Sequence, residues 1–433
     1  MKKKNIGILG TDEFNFIKLK SLRRADEFEY HHLLDYDEFR GSEEYNIDEL
    51  LYKAEERINA IDGQIDAIVG YFDFPVTDML PILRKRFGLV TPSLESVMKC
   101  EHKYWSRLIQ KKVVPQNIPG FSIFDPFRDD ALEQIGMEFP FWIKPVKSFK
   151  SYLGFRINNE EEFNHAIETI REHIEYISKP FDKLLDHLDM PTEVDEVGGV
   201  NCLAEEIITG KQCTLEGYMI NGKVHTYGIV DSYRDINRSS FSRYEYPSTL
   251  PYRVQDEMVE IADKVMSEIG MEPATFNMEF FYNESEDHIQ LLEINPRISQ
   301  SHGDLFQKVD GTANHEIMID IALNEEPQVL HREGLFNHAA KFMMRRFADG
   351  IVTRVPNEED LEVIRHRYPG ALIEVHVQEG QQLSELLNQD SYSFELADIY
   401  MGAGTQKNLL SNHEGLTNML PFHFEDVAVH ADE

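Results

Sequence analysis

Two short segments carry residue types that could hold a metal ion on a nucleotide. They are Phe276-Asn277-Met278-Glu279-Phe280 and Leu292-Glu293-Ile294-Asn295-Pro296-Arg297. Both read as β-strands flanking the polar turn Asn283 to Asp287. Alternate residues of a strand share a face. Asn277 and Glu279 therefore point one way, and Glu293, Asn295 and Arg297 share a side until Pro296 bends the chain. Either strand alone would pass for the polar face of a sheet, with Pro-Arg an ordinary turn. Paired as a hairpin, the two bring two carboxylates and an amide oxygen to one spot. Such hard oxygen ligands suit Mg2+ (or Mn2+) bound to the phosphates of ATP. Arg297 adds a fork for phosphate or carboxylate.

Weaker signals accompany this one. Lys144 lies in the apolar strand Phe141-Trp142-Ile143-Lys144-Pro145. A lysine there is costly to bury without an anion, which a nucleotide phosphate would supply, although it can also snorkel from the strand end. The loop Lys147-Ser148-Phe149-Lys150-Ser151-Tyr152-Leu153-Gly154 offers hydroxyls, amides and ammonium groups to phosphates, yet it is not glycine-rich and matches no Walker motif. Leu203 to Gly210 is a strand running into a glycine turn, and its backbone can meet an adenine edge. Arg234, Arg238 and Arg243 cluster in an aromatic segment. They either hold a substrate carboxylate or pair with Asp231, Asp235 and Glu245 at the surface. His302, close behind Arg297, is a candidate for the acceptor side.

The elements that must position these residues alternate at first. Ile6 to Gly10 and Ile65 to Gly70 read as strands. A helix with Leu50, Leu51, Ala54 and Ile58 on one face lies between them. A helix over 78–87 and a third strand over 88–92 follow. This pattern predicts a parallel α/β domain ending near residue 100. From 101 to about 330 the expected elements are strands at 141–145, 203–208, 212–220, 223–230, 275–282 and 289–295. Helices are expected at 160–175, 180–190 and 254–269, with a hairpin turn at Asn221-Gly222 and an acidic loop at 191–199. The tail reads as an α+β module with strands at 342–347, 351–355 and 372–377 and helices at 357–368 and 383–387.

Composition narrows the partners. The net charge of −34 argues against nucleic acid or an anionic membrane, because both need clustered cations. Cys100, Cys202 and Cys213 are too few and scattered for a disulfide framework or a zinc site. No apolar run approaches a membrane span or a signal peptide, so a soluble, cytoplasmic protein is expected.

Taken in order, these segments resemble the ATP-grasp superfamily, specifically its carboxylate–amine (amino-acid) ligase branch. The resemblance implies a multidomain α/β and α+β fold: an N-terminal Rossmann-like domain over 1–100, a two-lobed ATP-grasp region over 101–332, and a small C-terminal α+β module over 333–433. It also implies roles. Lys103 and Lys144 would meet the nucleotide phosphates, and Ser148 and Ser151 fall in the loop over them. Glu205, Glu206 and Ile208 match the hinge that receives adenine, mostly through backbone groups. Gln212 stands where many relatives carry a ribose-binding glutamate. Glu279 and Glu293 match the metal carboxylates, Asn295 the third ligand, and Arg297 the arginine that steadies the reacting carboxylate. The implied reaction is ADP-forming C–N ligation: a small carboxylate is activated as an acyl-phosphate and then meets an amine. The loop at 147–154 and the C-terminal module would exclude water. Relatives are often dimers, so a homodimer is one expected state. Two other readings stay open: a biotin-carboxylase-like enzyme that activates bicarbonate, and a catalytically silent nucleotide-binding regulator.

Overall fold

In a computed structural model, which describes residues 2–40, 45–148, 152–235, 240–386 and 393–427, the chain divides into two units. The first comprises residues 1–227, 250–300 and 315–328, and the second 228–249, 301–314 and 329–433.

The first unit opens on a parallel sheet of β1 (Lys4–Thr11), β2 (Phe28–Asp35) and β3 (Ala67–Val69), in the order β2-β1-β3. Ile6, Ile8 and Leu9 in the central strand are fully buried, as expected of a parallel sheet covered on its faces. The helix Ile47–Asn59 buries Leu50, Leu51, Ala54 and Ile58, the stripe read from the sequence. The strand expected over 88–92 does not form. The helix Val76–Arg86 ends instead in a tight cap, with Gly88 at φ +67° and Leu89 N–H donating to Arg84 O at 2.8 Å. This is a Schellman-type closure, which turns the chain away from the sheet.

A second sheet holds β4 (Phe121–Phe124), β5 (Phe141–Pro145), β6 (Phe155–Ile157) and β7 (Cys202–Glu206), in the order β4-β7-β5-β6. The helix Glu160–His173 packs Phe163, Ala166, Ile167 and Ile170 into a core with Phe141, Ile143, Cys202 and Ala204. Since alternate strand residues face opposite sides, Lys144 projects away from that core. Part of the expected 191–199 loop is a short helix, Thr192–Asp195.

β8 (Lys211–Ile220) turns at Asn221-Gly222 into β9 (Lys223–Arg234). Both turn residues have positive φ, +53° and +72°, as a type I′ hairpin requires. Along β9 the chain passes into the second unit, forms β10 (Phe241–Tyr246), and returns through the helix Tyr252–Ile269. It then forms β11 (Ala274–Asn283) and β12 (His288–Asn295), with β11 hydrogen-bonded between β8 and β12.

In the second unit, β10 continues to β13 (His338–Arg346), while β14 (Ile351–Arg354), β15 (Leu372–Val375), β16 (Phe394–Ala403) and β17 (His423–Glu425) complete the strands. The order is β10-β13-β16-β15, all antiparallel, and β14 pairs with β17. The helix expected at 357–368 is Glu358–Arg367. The one expected at 383–387 is a single 3-10 turn, Leu383–Glu385. No helix among the described residues is long and apolar enough to cross a membrane.

The core of the first unit makes a pH prediction. His315 is fully buried, its Nε2 3.1 Å from Asn15 Oδ1 and its ring edge-on to Tyr71. Burial pushes its pKa down to about 3. The unfolded chain takes up this proton below about pH 6.5, whereas the folded chain does so only near 3. Stability present above pH 6.5 is therefore lost as the pH falls toward 3, at about 1.4 kcal/mol per pH unit from this group. His315→Asn should make the pH dependence shallower by about one proton in urea unfolding between pH 6 and 4. An unaltered slope would contradict this.

Candidate nucleotide and metal site

The two acidic segments form the expected hairpin. In its register Asn277 lies opposite Asn295 and Glu279 opposite Glu293, so four polar side chains share one face of β11 and β12. Their neighbours Phe276, Met278, Phe280 and Ile294 point into the core, which locks the alternation. Asn295 Nδ2 donates to Asn277 Oδ1 at 2.9 Å, and Asn277 Nδ2 donates to Arg297 O at 3.1 Å. The first bond engages the nitrogen of the Asn295 amide and leaves its Oδ1 as the ligand atom. Glu279 accepts from Gln212 Nε2 at 2.9 Å, so the amide of the ribose candidate is engaged by a metal-ligand candidate.

Cations from other elements converge on these acids. Lys103, first residue of the helix Lys103–Val113, reaches Glu293 Oε2 at 3.2 Å. Its backbone N–H donates to Val146 O at 2.8 Å, tying that helix to the end of β5. Lys144 lies 2.6 Å from Glu205 Oε2. Burial disfavours ionised Glu293, but Lys103 and Lys144 together hold its carboxyl below the usual range. Burial, with repulsion from Lys103 and Arg107, lowers the Lys144 pKa despite Glu205.

The expected role of Glu205 as an adenine-hinge residue does not extend to its side chain. The carboxylate is buried between Lys144 and Arg107, with Arg107 Nε donating to it at 2.5 Å. Burial opposes its ionisation, yet the two cations hold its pKa at about 2. Glu206 is exposed and receives the Gly120 N–H at 2.8 Å, while its own N–H donates to Gly120 O. Ile208 is half-buried beyond the end of β7, just before Gly210. Gly210 has φ +133°, and a Cβ there would come within 2.3 Å of Tyr282 O, so only glycine fits this turn. Ser148 is buried at the mouth of the loop. Ser151 lies outside the described residues.

Arg297 forms a charge pair with Asp73, through Nε at 2.5 Å and through NH2. Behind it, the buried Glu216 accepts from Tyr227 Oη at 2.7 Å and from Ser299 N–H at 3.1 Å, which fixes the turn that carries Arg297. Lys147, in the phosphate-loop segment, does not face open space. It is 1% exposed, pairs with Glu101 and lies over the rings of Phe74 and Phe181.

Sequence reasoning missed Arg107, Asp73, Glu101 and Glu216 as parts of the site. Asp73 had one signal: it follows β3, at the end of a parallel strand where α/β sheets place ligands. Arg107 is visible in the sequence as a cation on the helix that Lys103 begins, but nothing local gives it a role. The second unit holds the two substrate candidates. Arg243 pairs with Glu245 at 2.9 Å and stacks over Tyr233 at 4.0 Å. His302 is buried edge-on to Tyr244. Arg243 and Tyr244 are consecutive on β10 and point to opposite faces, so the two candidates do not share a surface. Arg234 stacks on Phe241, and Arg238 lies outside the described residues.

Residues 137–303 match the family model described as an ATP-grasp domain. The chain carries an ATP-grasp domain. The matched range contains Lys144, Glu205, Gln212, Glu279, Glu293, Asn295 and Arg297, and Lys103 precedes it. No curated protein matches the sequence. Solved structures share the fold across nearly the whole chain. An L-amino acid ligase from Bacillus licheniformis superposes with a TM-score of 0.72 at 13% identity, covering 98% of this chain and 100% of its own. An ADP complex of PurK, N5-carboxyaminoimidazole ribonucleotide synthetase, gives 0.64 at 11% identity, covering 96% and 97%. A biotin carboxylase from Campylobacter jejuni gives 0.64 at 14% identity, covering 97% and 92%. The ATP-grasp domain thus sits in a mixed α/β fold of the expected class.

Proposed function

We propose that this protein is an ATP- and Mg2+-dependent, ADP-forming ligase that joins a small carboxylate to an amine through an acyl-phosphate. The observation that carries this reading is the cross-strand face of β11 and β12: Glu279 opposite Glu293, with the Asn295 amide beside them and Lys103 and Arg297 at its edge. Two carboxylates and an amide oxygen form a hard donor set that fits a magnesium ion. Glu279, Glu293 and Asn295 would hold it, and when bound it would neutralise the nucleotide's phosphate oxygens.

The chain's own groups define the rest. Lys103 and Lys144 are ammonium groups within a buried ionic cluster, where attraction for a triphosphate is little weakened by water. The Arg297 guanidinium can orient a substrate carboxylate so that one oxygen attacks the γ-phosphorus. The same fork remains beside the charge that develops there. The mixed anhydride is then open to an amine, and attack releases phosphate with the new amide. The L-amino acid ligase with this fold supports the choice of amide formation.

The test is a phosphate-release screen of purified protein with MgATP over pairs of amino acids and small carboxylates, with mass spectrometry of the product. An amide formed in step with ADP is expected. Phosphate release that never yields an acyl product would refute the reading.

A further inference from the structure

The sheet of the second unit gathers ionisable side chains that the ligase chemistry does not use. Glu374 on β15 lies opposite Asp398 on β16. His376 follows two residues after Glu374, and its N–H donates to Leu396 O at 2.9 Å, which keeps it in the ladder with β16. Alternate residues of an extended segment share a face, so Glu374 and His376 stand on the face that carries Asp398. One ligating atom from each of the three lies within 4.8 Å of the other two. His376 Nε2 is 3.2 Å from Asp398 Oδ2 and 3.7 Å from Glu395 Oε1.

Asp398 adds an independent observation. The residue is 3% exposed. Lys341 Nζ holds its Oδ2 at 2.6 Å. Its Oδ1 is buried and accepts no hydrogen bond from any described residue. A buried carboxylate oxygen without a donor is costly, and in a native protein such an atom points to an ion or a ligand.

We propose that Glu374, His376 and Asp398 form a further metal site of this protein, for a borderline divalent ion of the Zn2+ class. An imidazole nitrogen with two carboxylates is a mixed donor set that suits zinc. It differs in kind from the oxygen set of β11 and β12, which suits magnesium. Ligands of a tetrahedral zinc stand about 3.3 Å apart. The His376–Asp398 pair already has that spacing, and the third ligand has at most about 1.5 Å to close. The ion would take Asp398 Oδ1, while Lys341 stays on Oδ2 and orients the carboxylate. Glu374 and His376 come from the edge of the sheet and Asp398 from the strand beside it. The ion would therefore clip β15 to β16 and stabilise the folded module, because only the folded chain assembles the site.

The test uses the full-length chain, stripped of metal and titrated with Zn2+ against a chromophoric chelator in excess Mg2+. The Glu293→Gln background keeps the proposed nucleotide site from competing. One equivalent is expected to bind with a Kd at or below about 1 µM. It should raise the melting temperature by about 2 °C or more. Co2+ in its place should give the visible absorption of a four- or five-coordinate ion. His376→Gln and Glu374→Gln, each added to that background, should weaken zinc binding by about tenfold or more and remove the thermal shift. Should His376→Gln fail to fold, the half-buried Glu374 carries the test through Glu374→Gln. No zinc uptake would overturn the proposal and leave Asp398 Oδ1 to a proton shared with a neighbouring acid. Zinc uptake that both variants leave within about threefold would overturn it too, and place the ion on other histidines. Displacement of the zinc by millimolar Mg2+ would overturn the assigned class of ion.

Discussion

Glu293→Gln is expected to lower kcat for phosphate release by about 10^3-fold or more, the scale of losing a preorganised electrostatic group at a reacting centre. Glu293 lies opposite Glu279 in the register, and its own carboxylate already attracts Lys103 at 3.2 Å. The amide keeps the shape and removes the charge, so the oxygen set falls from two carboxylates to one. Mg2+ prefers charged oxygen ligands, and its activation curve should shift to higher concentration in the variant. Stability should change little. Glu293 is about one-third exposed, and half-open ion pairs of this kind contribute at most about 1 kcal/mol. The checks are steady-state phosphate release against Mg2+ concentration and a thermal melt. Turnover within a few-fold of wild type would remove the metal assignment, whatever the melt shows.

What could be read in advance follows from distance along the chain. The chemistry of β11 and β12 was legible because one hairpin brings both halves together and strand alternation sorts their faces. Asn277 and Glu279 are separated by core residues, and so are Glu293 and Asn295. The partners of these residues were not legible. Asp73 meets Arg297, and Arg107 meets Glu205, across long stretches of sequence that no local pattern spans. β16 escaped notice for a related reason. Glu395 and Asp398 interrupt its apolar run, and they are tolerated because Lys341 lies 2.6 Å from Asp398 and Arg345 pairs with Glu395. The strand expected over 88–92 failed in the opposite way. Its residues suit a strand, but the cap at Gly88 turns the chain before it can pair. Propensity sets what a segment can become, and the partners it meets decide the rest.

Those long-range partners carry the second large effect. Glu205→Leu should destabilise the first unit by about 3–5 kcal/mol, because it strands two buried cations. Lys144 and Arg107 are 9% and 3% exposed, and the carboxylate between them is 4% exposed. Arg107 has other anchors: Gln110 and the carbonyls of Leu291 and Leu292 at 2.9 and 2.7 Å. Lys144 is the cation left poorly compensated, so the double variant Lys144→Met with Glu205→Leu should cost clearly less than the sum of the singles. For a unit of this size the single variant's midpoint should fall by about 5–10 °C. The double variant should recover part of that fall yet remain inactive, since the phosphate-facing ammonium is gone. If Glu205→Leu moved the melt by less than about 1 kcal/mol, the triad would not be the buried staple described here. Strict additivity in the double variant would show instead that Lys144 and Glu205 act independently, and that Lys144 owes its position to the strand alone.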